Sequence, residues 1–234
     1  MRAFIDLHCH TRGSFDSLAD PARVLRAAAT RGLTHLAITD HDRVETALAI
    51  RDSAPEGLTV IVGEEIRTTA GDLIGVFLER SIPPGLPPSE AIAAVRDQGG
   101  LVGIPHPFDR FRSSLAREAG LEALVSLVDW VEGYNARLVG GGNGRAAVFA
   151  HEHGLPAVAA SDAHSVLEVA VSYTILDGDP STPAGLKSAL PTADMVMSRA
   201  SYLVRGITPV AKVVQRFRGN RRAPMPPAGE GAAR

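Results

Sequence analysis

The chain has 234 residues, 45% hydrophobic and 21% charged, with a formal net charge of −2. That length buries the core of one large domain or two small ones, and the charge balance excludes a global electrostatic pull toward nucleic acid or a membrane surface. A single Cys excludes an internal disulfide framework and a Cys-rich zinc ribbon, so a metal here must be held by carboxylates and the eight His.

The N-terminal stretch carries no targeting pattern, because its apolar run breaks at Asp6 and His8. No apolar run reaches 18 residues, so no membrane span is expected, and the protein reads as cytoplasmic. The 22 Arg against 2 Lys read mostly as compositional bias.

Short apolar runs alternate with helical patterns. Residues 4–7 predict a strand, and Asp20-Pro21 predicts the capped start of a helix ended by Gly32. Residues 33–39 predict a strand closing at Asp40-His41, with a helix over 44–52. Strands follow over 58–62, running into Glu64-Glu65, and over 72–77. A Pro-rich loop leads to a helix over 89–98, then a strand over 101–104 closing at His106, and helical sequence over 121–128. Strands over 130–134 and 156–160 close at Asn135 and at Ser161-Asp162-Ala163-His164, with a glycine-rich loop and a helix between them. A last strand over 172–176 and a helix over 183–190 complete the series.

About seven strand–helix units fit in this stretch, and the rhythm predicts parallel strands with crossover helices. Polar residues close most of the strands. In a (β/α) barrel, the C-terminal strand ends carry the active site. Residues 201–216 form a short helical extension, and residues 217–234, rich in Arg, Pro, Gly and Ala, predict a disordered tail.

The two His of His8-Cys9-His10 fall on one side of an extended chain, since strand side chains alternate. Asp16 follows His10 by six residues, in a short loop that can return its carboxylate to the same centre, and Asp40-His41, Glu64-Glu65, His106, Asp162 and His164 join at successive strand ends. Imidazole together with carboxylate suits Zn, Mn or Fe.

The ordered series His8-Cys9-His10, Thr39-Asp40-His41, Glu65, His106 and Ser161-Asp162-Ala163-His164 resembles the PHP family (polymerase and histidinol phosphatase) over about residues 4–176. The resemblance is to the small stand-alone phosphoesterases of that family. It implies an α/β fold, a distorted (β/α)7 TIM-like barrel over residues 1–200, with two or three divalent ions at the strand ends. By the same resemblance His8, His10 and Asp162 bind one ion, Glu65 bridges two, His106 helps bind the second, and Asp16, His41 and His164 hold a third. Glu65 is preferred over Glu64 because Glu65-Ile66-Arg67-Thr68 matches the family's run. In many members a His follows the bridging Glu by about ten residues. Asp72 stands in that place here, and it is either a substitute ligand or the mark of a lost site.

The implied reaction is hydrolysis of a phosphate ester: a small phosphomonoester, a nucleotide or the end of a short nucleic acid. Glu65, Asp162 and His164 are the catalytic candidates, although ligation leaves Asp162 and His164 little free basicity. Arg110, Arg112 and Arg137 are candidates for phosphate binding, because a planar guanidinium matches phosphate oxygens. Asn135 is a candidate for positioning an Arg or the substrate.

Other features read as structural. His151 and His153 sit at i, i+2 on a helix and do not face together. His35 is a core or interface histidine, Cys9 a small buried residue, and residues 140–144 a loop without P-loop chemistry. Two other functions stay open. An amidohydrolase-like barrel would usually carry a bridging Lys, and the two Lys here, Lys187 and Lys212, lie late in the chain. A non-catalytic barrel that keeps metals for stability is the other.

Overall fold

Among the described residues nine strands form one sheet in the order β7-β6-β5-β4-β3-β2-β1-β8-β9. The computed structural model describes residues 1–109 and 121–224. In chain order the elements are β1 (Arg2–Asp6), α1 (Pro21–Thr30), β2 (His35–Ile38), α2 (Glu45–Ile50), β3 (Thr59–Arg67), β4 (Asp72–Val76), α3 (Pro88–Arg96), β5 (Leu101–Ile104), α4 (Leu121–Leu124), β6 (Trp130–Asn135), α5 (Gly142–Glu152), β7 (Ala157–Ala160), β8 (Tyr173–Asp177), α6 (Pro183–Ala189), β9 (Asp194–Val196), α7 (Tyr202–Arg205) and α8 (Ile207–Phe217).

The expected α/β barrel is present, with modified strand directions. β1, β2 and β3 pair in parallel, as do β5, β6 and β7. β4 runs antiparallel to both of its neighbours. Only four residues join β3 to β4, far fewer than a parallel crossover needs. β8 pairs antiparallel with β1, and β9, which the sequence pattern did not indicate, pairs antiparallel with β8.

β7, at one end of the sheet, meets β1 and β8 beyond the ladder pairs. The Asp162 N–H donates to the His8 carbonyl at 2.9 Å, and the His10 N–H to the Ala163 carbonyl at 2.8 Å. Thr174 of β8 exchanges hydrogen bonds with the Ala159 backbone. This closure brings the turn after β1 against the turn after β7.

Alternation sets the core. Leu36 and Ile38 of β2 share one cluster with Val24, Leu25 and Ala28 of α1, while Ala37 belongs to a second cluster with Ile5, Ile61, Trp130 and Leu186. α1 starts as the sequence indicates, with the Asp20 carboxylate accepting the Arg23 N–H. Gly103 is required by Trp130 on the neighbouring strand, because a Cβ there would lie 2.1 Å from the indole ring.

The described part of the C-terminal segment, up to residue 224, lies against the loop after β1. Gln215 Nε2 lies 2.7–2.9 Å from the carbonyls of Arg12, Ser14 and Ser17, and Asn220 Nδ2 reaches the Gly13 carbonyl at 3.0 Å. Residues 218–224 are thereby tied to the loop after β1. Among the described residues no helix is long and apolar enough to cross a membrane.

Candidate metal centre

Beyond β1 the backbone is held by Asp6, whose Oδ1 accepts the N–H groups of His8 and Ser161. His8 and His10 then project to one side, with their Nε2 atoms 2.9 Å apart. Cys9 turns away into the cluster shared with α1. Glu65 is the hub. Its Oε2 lies 3.3 Å from His8 Nε2, 3.2 Å from His10 Nε2 and 3.1 Å from His41 Nδ1, and its Oε1 lies 3.1 Å from His106 Nε2. Glu64 faces away and accepts the Ile82 N–H.

Asp162 Oδ1 is 3.7 Å and 3.6 Å from His8 and His10 Nε2, and 3.4 Å from His164 Nδ1. Asp16 Oδ2 is 3.5 Å from His41 Nε2 and 3.3 Å from His164 Nε2. Two groups result, His8/His10/Asp162 and His10/Asp16/His41/His164, each with its ligand atoms within 4.8 Å of one another and all residues buried. Three positioning residues have positive φ without being Gly: Asp42 (55°), His106 (27°) and Asp162 (51°). Such backbone costs on the order of 1–3 kcal/mol each and clusters at functional sites.

The electrostatics follow from this crowding. Burial would raise the Glu65 carboxyl, but His41 and His8 outweigh it and hold it well below the carboxylate range. Burial opposes His164 and His41 in the same way at Asp16, which is also held low. Burial depresses His41, yet Glu65 and Asp16 carry it up to about 9. His10 is pushed well below the usual histidine value by burial and by His164.

The donor set fits a divalent ion. It mixes imidazole and carboxylate, the chemistry of Zn, Mn and Fe sites. Among the described residues Asp16 Oδ1 and His106 Nδ1 are buried without hydrogen-bond partners, and buried charge of this density is normally paired or metal-bound.

The sequence profile of the PHP domain matches residues 6–136, and that of the PHP-associated region matches residues 140–193. The chain belongs to the PHP family. This PHP protein is 37% identical over 142 residues to an uncharacterised protein of Methanocaldococcus jannaschii, covering 56% of this chain and 81% of the relative. A two-domain protein from Bacteroides vulgatus, described as containing a predicted PHP-like metal-dependent phosphoesterase, superposes with a TM-score of 0.71 at 19% identity, over 85% of this chain and 65% of that one. Endonuclease Q, in complex with a 27-mer duplex bearing an abasic lesion, superposes with a TM-score of 0.64 at 16% identity, over 82% of this chain and 57% of that one. This chain therefore spans less than two thirds of either structural neighbour.

The remaining sequence candidates of the PHP protein fall in three places. Arg110 and Arg112 lie outside the described residues. Arg137 lines a cavity of about 200 Å³ with Asp16, Asp109, His164, Arg205, Thr208 and Lys212. Its guanidinium is fixed by Glu168 at 3.0 Å and Thr208 at 2.7 Å. Asn135 is buried below the centre, donates to Glu132 and Asp162, and accepts the Arg137 N–H. Asp72 is buried and pairs with Arg222 at 2.9 Å, outside both ligand groups.

Sequence reasoning missed Glu132, Ser14, Glu168, Arg205, Lys212 and Arg222. Glu132 gives the one legible signal, a carboxylate inside the apolar strand β6. His35 is bonded to Thr34 and Ser181, away from the centre, and His151 and His153 are exposed at the end of α5.

Proposed function

We propose that this PHP protein is a metal-dependent phosphoesterase, acting on a small phosphomonoester, a nucleotide or the end of a short oligonucleotide. The observation that carries the reading is that Asp16 and His164 of the His10/Asp16/His41/His164 group line one cavity with Arg137, Arg205 and Lys212. His8, His10 and Asp162 would hold one ion, and Asp16, His41 and His164 another. Glu65 would bridge, and His106 would complete the set. Divalent ions, when bound, would supply a nucleophile at neutral pH by lowering the pKa of bound water toward ~7, and would offset charge on phosphoryl oxygens.

The chain's own residues do the rest. Glu132 and Ser14 contact the far ring nitrogens of His8 and His10, which orients both imidazoles. Arg137 presents a preset guanidinium to an anionic ester, and Arg205 and Lys212 add charge from the C-terminal helices. Phosphoryl transfer needs mainly such positioning and charge stabilisation. The cavity volume is below the ~300 Å³ lower end of drug-sized pockets, which favours a phosphate on a compact group or a chain end.

The test is hydrolysis of p-nitrophenyl phosphate, nucleoside monophosphates and short oligonucleotides by protein loaded with Mn, Zn or Fe, with ions counted by elemental analysis. His41→Ala should abolish hydrolysis while leaving the circular dichroism spectrum unchanged. Absence of hydrolysis on every ester by a metal-loaded protein would sink the reading.

A further inference from the structure

The Asp72 carboxylate is 3% exposed and stands beside the centre, within electrostatic reach of Glu65, His41 and His106. It belongs to neither ligand group. Its partner comes from the opposite end of the chain, where Arg222 Nη2 lies 2.9 Å from Asp72 Oδ1. The same guanidinium has Nε 3.4 Å from Asp42 Oδ2 and its Cζ 5.6 Å from the centre of the Phe15 ring. The Arg222 side chain is only 21% exposed.

This placement is anchored on both sides of Arg222. Asn220 and Gln215 bind backbone carbonyls of the loop that carries Phe15 and Asp16. Beyond Arg222, the Ala223 carbonyl accepts from Arg67. Asp42, the second carboxylate on the guanidinium, is itself fixed, with its Oδ1 accepting the Arg67 N–H at 2.9 Å.

We propose that Arg222 is the resident cation of Asp72, so that the centre takes its divalent ions on the His and carboxylate groups around Glu65 and none on Asp72. A guanidinium carries its charge at every working pH and cannot be displaced by deprotonation. Fixed against Asp72 Oδ1, it neutralises that carboxylate and repels a dication approaching the same oxygen. Asp72 without Arg222 is a buried carboxylate within electrostatic reach of Glu65 and His106, and carboxylate with imidazole is donor chemistry that a further divalent ion would use.

The inference rests on the reading of the cluster as a metal centre, and its test counts ions rather than activity. The full-length protein is stripped with a chelator, reloaded with Mn and desalted, and Mn per chain is measured by elemental analysis. Thermal melts confirm folding of each variant. Asp72→Asn is expected to bind as many ions as the wild type, and Arg222→Gln one more per chain. Arg222→Lys, which keeps the charge, should return the wild-type count, and the double variant Arg222→Gln/Asp72→Asn should lose the gain. One ion fewer in Asp72→Asn, or no gain in Arg222→Gln, overturns the proposal. Ions counted as expected with no ester cleaved would defeat the phosphoesterase reading alone.

Discussion

Glu132 Oε1 lies 2.6 Å from His8 Nδ1, and the other oxygen of the same carboxylate accepts the His106 N–H at 2.8 Å and the Asn135 amide at 2.9 Å. One buried side chain on β6 thereby fixes the His8 imidazole, the backbone of His106 and, through Asn135, the Asp162 carboxylate. A ring that donates Nδ1–H to Glu132 turns Nε2 of His8 toward the centre, where it is free to ligate once its own proton is released. Partners of this kind typically contribute 10–100-fold to metal affinity. Glu132→Gln should therefore weaken Mn binding by about that factor with little change in melting temperature. An unchanged dissociation constant would refute the orienting role.

Protons and metal should compete at His41. Glu65 and Asp16 overcome burial there and raise its pKa to about 9, so in the metal-free protein the ring is cationic at neutral pH. A protonated imidazole cannot ligate, and loading an ion onto His41 must release its proton. Affinity is expected to rise with pH through the neutral range and level off near pH 9. Calorimetry in buffers of different ionisation enthalpy would measure the release. A proton count of zero at pH 7 would refute it.

His8, His10, His41, His106, Asp162 and His164 were legible as candidates because each lies just past a strand, and strand ends can be located from local pattern alone, whereas Asp16 sits in the loop after β1 and Glu65 inside β3. Glu65 was separable from Glu64 only through the family run, and the fold agrees because alternation sends Glu64 to Ile82. The reversed β4 was misread because the strand–helix rhythm hid a link too short for a crossover. Arg222 lies 150 positions from Asp72, in a segment whose composition resembles a disordered tail, and no local spacing encodes a contact at that distance. The cationic cavity was half visible for the same reason. Arg137 follows a strand end, while Arg205 and Lys212 arrive from helices that the barrel pattern does not place.

The C-terminal extension should contribute to stability through Gln215. Its amide nitrogen meets three backbone carbonyls of the loop from Arg12 to Ser17, and the residue is 2% exposed. Truncation leaves buried acceptors unpaired, at a cost of about 1–3 kcal/mol. Gln215→Ala should lower stability by that amount in chemical denaturation. Because Asp16 belongs to the same loop, the variant should also bind Mn less tightly. Wild-type stability in Gln215→Ala would show that the extension only rests on the barrel.

Glu64 should make the protein less stable as pH rises. Burial pushes its carboxyl up to about 8, with Asp42 and Glu45 adding to the effect against the Ile82 N–H. Its Oε1 is buried without a hydrogen-bond partner among the described residues. In the unfolded chain the same group titrates near 4.5. Between these values the folded state holds a proton that the unfolded state has lost. Linkage then makes stability fall with rising pH across the window, and the contribution is gone above about pH 8. Glu64→Gln keeps the acceptor for Ile82 and removes the titration. Its advantage over the wild type should therefore grow from pH 4.5 to about 8 and stay flat above, reaching on the order of a few kcal/mol. Denaturation of both proteins in chelator across that range measures the difference directly. A difference that does not change with pH would mean that the Glu64 carboxyl titrates alike in the folded and unfolded chains.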